Sequence, residues 1–326
     1  MRFNLYLLYL LAGIFTNLYA QNTGGLTGIP DTSFTLNSAL KNVQKVDADA
    51  RLGVYTGKSK IAIQHDIVYH RIGSRSLKVD LFNTKKLVKK ELPVIIFIFG
   101  GGWRSGDKTH HHEMAKELAS RGYAVFTPEY RLSTEALYPA AMQDITACIQ
   151  WVKTNATTYH LNKNKVTVIG FSAGGQMAAL LGVTAKAGKF NSPHFSENAE
   201  VQAVVDLDGI LAYIHPESAE GDDRKRTSAA TYYFGYTKEQ NPALWNEASA
   251  LYKVHQDVPP YLFINSGNDR MHAGRNDFCD KLGDYGIDYQ IHTFATAPHV
   301  FPLLEKWFMP VADLIDQFLT LELALD

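Results

Sequence analysis

The chain has 326 residues, 46% of them hydrophobic and 20% charged, with a formal net charge of -1. This is globular composition with enough apolar material for one large core. The near-neutral balance lacks the basic footprint that nucleic acid selects, so no nucleic-acid partner is expected.

Taken in chain order, residues 1–20 differ from the rest. Arg2 precedes the apolar run Leu5 to Leu11, and Leu18-Tyr19-Ala20 stands before the polar Gln21. A basic start, a short apolar centre and a small residue at the end describe a secretory signal peptide. Asn17 interrupts the apolar stretch, which is too short to cross a bilayer comfortably. The expectation is an exported protein, periplasmic or secreted, without a membrane span once the signal is removed. Export permits disulfides, but Cys148 and Cys279 are the sole cysteines and sit far apart in helical-looking stretches. Two buried or idle thiols are expected rather than a bridge.

Residues 21–60, rich in Gly, Thr, Ser and Asn, read as a linker or a loosely packed lead-in. From there, strands are expected at 65–70, 77–82, 93–99, 124–130, 166–170, 201–207, 261–266 and 289–294. The third, fifth, sixth and seventh are almost continuously apolar, as in strands covered on both faces. Helical patterns fall at 111–121, 140–155, 174–183, 273–285 and 309–321. A short Gly/Ser turn makes the first two strands antiparallel. Beyond them strand and helix alternate, so residues 61–326 read as one α/β domain, an eight-stranded and mostly parallel sheet with helices on both faces. One lid-like excursion, 210–257, is too long for a plain connection. The run Lys85, Lys86, Lys89, Lys90 reads as a solvated loop.

The sharpest motif is Gly170-Phe171-Ser172-Ala173-Gly174-Gly175, between an apolar strand and a run of helix formers. Gly-x-Ser-x-Gly in that setting is the nucleophile elbow of the α/β-hydrolase fold, which lifts a serine hydroxyl above the sheet. It also aims the N–H groups of a helix N-terminus at the reaction centre.

Upstream, Phe99-Gly100-Gly101-Gly102-Trp103-Arg104 closes the third strand. A phosphate loop would need Gly-Lys-Ser/Thr, but Asp107 precedes Lys108; a dinucleotide loop would need glycine where Ser105 stands. The position is instead that of an oxyanion loop, with the N–H groups of Gly101, Gly102 and Ala173 as donors. A serine needs a base, and the base an orienting carboxylate, in the chain order Ser, Asp or Glu, His. Asp269 follows the seventh strand and His299 the eighth. Asp257 and Asp277 are competing carboxylates, and His272 and His292 weaker competitors for the base.

On these motifs, with Glu129-Tyr-Arg-Leu132 and Tyr138-Pro-Ala, the chain from about residue 62 onward resembles the α/β-hydrolase esterases that include the bifunctional feruloyl and acetyl-xylan esterases, related to hormone-sensitive-lipase-like enzymes. The resemblance implies a serine esterase acting on a substituted polysaccharide or oligosaccharide, with no cofactor. Phe99 departs from it, since the family usually carries histidine before the glycines. The stretch Ile214-His-Pro-Glu-Ser-Ala-Glu-Gly-Asp-Asp223 also resembles exported bacterial esterases of pectin breakdown, which moves the substrate from xylan toward pectin. A methyl esterase of pectic galacturonate is the runner-up. A carbohydrate-binding relative without catalysis is the alternative of another class, against which the presence of Ser172, Asp269 and His299 speaks.

Trp103, Arg104, Arg270 and Arg275 are the candidate substrate-binding residues: the first two as part of a sugar cleft, while Arg270 and Arg275, close to the expected acid, could pair bidentately with carboxylates of the polymer or form local ion pairs. Tyr232, Tyr233, Phe234, Tyr236 and Trp245 could line a sugar cleft or simply pack. His110-His111-His112-Glu113 suggests a metal, but adjacent helix positions point about a hundred degrees apart, and Lys116 replaces the second zincin histidine. An exposed helix start, without a metal, is expected there.

Overall fold

Along the segment Leu92–Ile98, Val94, Ile96 and Ile98 enter one hydrophobic cluster, while Ile95 and Phe97 enter another. A strand sends alternate side chains to opposite faces, so a strand apolar at every position must be covered twice. That requirement organises the domain.

The computed structural model describes residues 20–84 and 90–325. The expected signal segment, apart from Ala20, and Lys85, Lys86 and Lys89 lie outside the described residues. Eight strands form one sheet: β1 (Ile61–Ile72), β2 (Arg75–Thr84), β3 (Leu92–Ile98), β4 (Ala124–Pro128), β5 (Leu161–Phe171), β6 (Ala203–Leu207), β7 (Tyr261–Ser266) and β8 (Tyr289–Phe294). The described α-helices are α1 (Leu36–Val43), α2 (His112–Ser120), α3 (Ala140–Thr154), α4 (Ala156–Tyr159), α5 (Ala173–Thr184), α6 (Ala229–Phe234), α7 (Pro242–Glu247), α8 (Arg275–Asp284) and α9 (Glu305–Glu322).

Strand order is β1-β2-β4-β3-β5-β6-β7-β8. The β1–β2 pair is antiparallel and the pairs from β3 onward are parallel, as expected from the short turn followed by strand–helix alternation; β2 also pairs with β4 antiparallel. Helices α2 and α9 cover one face, while α3, α5 and α8 cover the other. Helix α9 starts before the expected 309 and runs through Pro310. Proline inside a helix costs about 3 kcal/mol. Here Trp307 and Phe308 are buried in the same cluster as Val311 and Ile315, and their burial offsets that cost. Among the described residues no helix is long and apolar enough to cross a membrane. Cys148 and Cys279 are free and buried, and burial pushes the Cys279 thiol up to about 12.

Two expectations change. The histidine tract is not an exposed helix start: His110 and His111 are buried in a 3-10 turn before α2. His111 stacks on Phe97 at 4.3 Å, and burial holds its imidazole well below the usual range, hence neutral. His112 turns instead to Asp80, 3.1 Å away. These three rings pack a helix against the sheet.

The lead-in is fastened rather than loose. Backbone hydrogen bonds run from Asn22 N to Gly235 O, Gly28 N to Thr134 O, Asp31 N to Arg104 O and Gly53 N to Leu303 O. Asp31 accepts from Ser33 N at 2.8 Å and faces Arg104 Nε at 3.5 Å. The Ser33 hydrogen bonds, followed by the Arg104 charge, hold its carboxyl below the usual carboxylate range. A group whose folded pKa is depressed contributes stability above its unfolded pKa, lost as pH falls through the folded one. Asp31→Asn is therefore expected to speed amide exchange in residues 22–34 at neutral pH, with the gap from wild type closing in acid. Equal exchange at pH 7 would remove Asp31 as an anchor.

Candidate active site

Strand β5 ends at Phe171 and α5 begins at Ala173, leaving Ser172 alone at the turn with φ 56° and ψ −119°. An ordinary side chain at positive φ is strained, and such strain persists only where the surroundings over-determine it. Here Ser172 N donates to Leu207 O at 2.8 Å and Gln176 N donates to Ser172 O at 3.0 Å. The turn leaves no room beside it: a Cβ at Gly170 would stand 2.0 Å from Gly174 O.

His299, in the loop after β8, approaches the hydroxyl. Its Nε2 lies 2.9 Å from Ser172 Oγ, and its Nδ1 lies 3.0 Å from Asp208 Oδ2. An ionised carboxylate can only accept, so Nδ1–H donates to Asp208 and Nε2 is left to accept from the serine. Asp208 is fully buried and follows the last residue of β6 at φ 54°. Ser266 N, at the end of β7, donates to its other oxygen at 2.8 Å.

The carboxylate against His299 is thus Asp208 and not Asp269. Asp269 opens a 3-10 turn with its side chain 87% exposed, and its one described partner is His272, at 3.8 Å. The reason lies in the strand ends. Strand β7 uses its terminal amide to hold Asp208, and the chain then leaves outward through Gly267 and Asn268. Asp208 keeps the order Ser, Asp, His, and its signal was present: an Asp-Gly pair at the end of a buried strand, with Asp among the residues that tolerate a left-handed backbone. The other candidates are engaged elsewhere, Asp257 with Lys186 at 3.2 Å and Asp277 with His215 at 3.2 Å. His292 lies within β8.

The glycine loop sits across from the serine. Gly101 has φ 130°, where a Cβ would meet Ser105 O at 2.2 Å. Ser105 closes the loop, donating from N (3.0 Å) and Oγ (2.8 Å) to Gly101 O. Phe99, where the resembled family has histidine, stacks on Tyr130 at 4.3 Å, and Tyr130 OH donates to Phe99 O at 3.1 Å. Gly101, Gly102, Ser172, Ala173 and His299 line one cavity of about 860 Å³. Ala173 is the first residue of α5, so its N–H lies among those a helix cannot pair internally.

Trp103, Arg104 and Arg270 line the same cavity, while Arg275 does not and donates instead to Asn265 Oδ1 at 2.7 Å. Trp103 is nearly buried: it stacks on Tyr233 at 5.1 Å and donates from Nε1 to Gln176 Oε1 at 3.1 Å. Of the excursion aromatics, Tyr232 reaches the cavity, with the Arg104 guanidinium 4.0 Å above its ring. Tyr233, Phe234 and Trp245 are core. Asp31 and Phe34 of the lead-in complete the wall. Burial raises the Glu220 carboxyl above its usual range, against the pull of Arg270. Among the described residues no group of three metal-ligating side chains is placed to hold an ion.

Sheet order, elbow and facing glycine loop together define an α/β-hydrolase. Residues 79–274 match the BD-FAE family model, and the chain belongs to that family. Esterase LipC of Mycobacterium tuberculosis is 28% identical over 196 residues, covering 59% of this chain and 48% of the relative. Esterase LipQ of the same organism is 24% identical over 231 residues, covering 70% and 54%. The chain spans about half the length of these relatives. Among solved structures, a truncated carbohydrate esterase from gut microbiota superposes with a TM-score of 0.66 at 20% identity, over 82% of this chain and 99% of that one. An esterase structure from Rhizomucor miehei gives 0.66 at 20% identity over 93% and 95%. At that identity both bear on the fold alone.

The elbow's crowding yields a stability test. Gly170→Ala forces a methyl group into backbone, and overpacking of that kind costs about 2–3 kcal/mol. The urea midpoint should fall accordingly; an unchanged midpoint would show that the turn has slack.

Proposed function

We propose that the chain is a serine carboxylic-ester hydrolase that removes acetyl, or related acyl, groups from a plant cell-wall polysaccharide such as pectin or xylan. The observation that carries the chemistry is the hydrogen-bonded line from Asp208 through His299 to Ser172, with steps of 3.0 and 2.9 Å.

In the first half, Ser172 Oγ attacks the ester carbonyl carbon as His299 Nε2 takes its proton. Asp208 accepts from Nδ1–H throughout, holding the tautomer and stabilising the imidazolium. The carbonyl oxygen becomes an oxyanion that accepts from the N–H groups of Gly101, Gly102 and Ala173. One such donor is worth about 3 kcal/mol in the transition state. The carbon–oxygen bond to the sugar then breaks, and Nε2 returns the proton to the leaving hydroxyl. In the second half, water gives a proton to Nε2 as its oxygen attacks the acyl carbon; the carbon–Oγ bond then breaks, Nε2 returns the proton to Ser172 Oγ, and the acid leaves. No cofactor enters these steps.

Support for a carbohydrate substrate comes from the wide cavity with Trp103, Arg104, Tyr232 and Arg270 on its wall. The character of residues 1–20 supports export.

Hydrolysis of p-nitrophenyl acetate tests the chemistry. Ser172→Ala should abolish it in a folded protein, and Asp208→Asn should lower kcat by about 10⁴-fold. Asp269→Asn should stay within about twofold of wild type, since surface substitutions rarely matter. The reverse pattern for the two aspartates would reject Asp208 as the orienting acid. Acetate, rather than methanol, released from acetylated pectin or xylan would establish the acyl specificity.

A further inference from the structure

Charge around the cavity is matched pair by pair, with one exception. Asp31 faces Arg104 at 3.5 Å, Glu220 faces Arg270 at 3.5 Å, and Asp208 faces His299 at 3.0 Å. Asp222 is forked by Arg224 through hydrogen bonds of 2.7 and 2.6 Å. Behind them, Asp223 accepts from Ser228 N at 2.6 Å and Thr231 Oγ1 at 2.8 Å. That accounts for every acidic side chain on the lining. Lys225 and Arg226 are left over. Both line the cavity that holds Ser172, both are exposed, and among the described residues neither faces an anion.

The loop that carries them is held on either side. Before them, the Asp222–Arg224 fork sets the turn; after them, Ser228 caps α6 by accepting from Thr231 N at 3.1 Å. Two adjacent cations on an anchored loop repel each other, and an anion between them relieves that repulsion. A guanidinium takes a carboxylate with two parallel hydrogen bonds, and a lysine adds a point charge. Charge of one sign at the mouth of a low-dielectric cleft also draws oppositely charged ligands toward it.

We propose that Lys225 and Arg226 form a carboxylate-binding subsite, and that the ester-bearing polymer is a polyanion: a uronic-acid chain whose sugars near the reacting ester keep free carboxylates. This rests on the hydrolase reading above and narrows its substrate class. A neutral xylan, or a fully methyl-esterified uronan, offers that subsite nothing to bind.

The test compares acetylated oligogalacturonate with the same oligomer after methyl esterification. Wild type is expected to favour the acidic form about tenfold in kcat/KM at low salt, the scale of two partly exposed ion pairs. Most of that preference should vanish in about 0.5 M NaCl, where such pairs are screened, and in the Lys225→Ala/Arg226→Ala variant. A preference that is absent, or that survives in the double variant, overturns the subsite. Binding separates this from the chemistry. Ser172→Ala protein, titrated calorimetrically, should bind trigalacturonate more tightly than xylotriose. Trigalacturonate binding without acetate release from any ester, p-nitrophenyl acetate included, would sink the hydrolase reading and keep the subsite. Acetate release with no better binding of trigalacturonate than of xylotriose would do the opposite.

Discussion

Ser172 occupies a backbone conformation that its side chain disfavours, between a strand that has just ended and a helix that has just begun. Its own first helical turn helps to hold it, with Gln176 N donating to Ser172 O, but does not suffice. The conformation is imposed by the neighbouring strand, whose Leu207 carbonyl accepts from the serine N–H, and by glycines that let α5 start on top of β5. Because β5 and β6 are parallel and in register to their ends, with Phe171 opposite Leu207, the same edge that pins the serine also delivers Asp208 one residue later. The strained serine and its distant acid are therefore consequences of one strand pairing.

A third strand completes the device. Strand β7 pairs with β6 over Val204 to Leu207, and the amide of its last residue, Ser266, is free to donate to Asp208. The buried carboxylate thus has a backbone donor on one oxygen and an imidazole on the other. Burying a charge is costly unless it is paired and hydrogen-bonded, and here both conditions hold. An acid placed after β7, as Asp269 is, would need a loop that turns back over the sheet, and this chain turns outward instead.

Two segments outside the sheet, one before β1 and one between β6 and β7, wall the cavity. The lead-in contributes Asp31 and Phe34, and the excursion after β6 contributes Glu220 to Tyr232. They meet at Arg104, whose guanidinium lies over Tyr232 and faces Asp31. Gln176 joins the excursion to the glycine loop, accepting from Trp103 Nε1 and donating to Ala248 O at 3.1 Å each. The pieces that differ most from a bare α/β sheet are the ones that shape what reaches the serine.

Local order along the chain determined a good deal. The continuous apolar runs marked the central strands because only a strand covered on both faces tolerates them, and the expected bounds of β7 and β8 coincide with the observed ones. The elbow was legible because a serine between glycines at a strand–helix junction has few other uses, and His299 because it follows the last strand. Tertiary structure decided the rest. Asp208 could not be chosen over Asp269 from spacing, since both lie between Ser172 and His299 in sequence, and only sheet order and the buried end of β6 bring one of them to the imidazole. The histidine tract read as surface until Phe97 was seen stacked on it, and the lead-in read as slack until its backbone hydrogen bonds were placed. Periodicity and motif depend on neighbours in sequence, whereas burial and pairing depend on which distant segment arrives, and the acid, the cavity wall and the charge balance are all of the second kind.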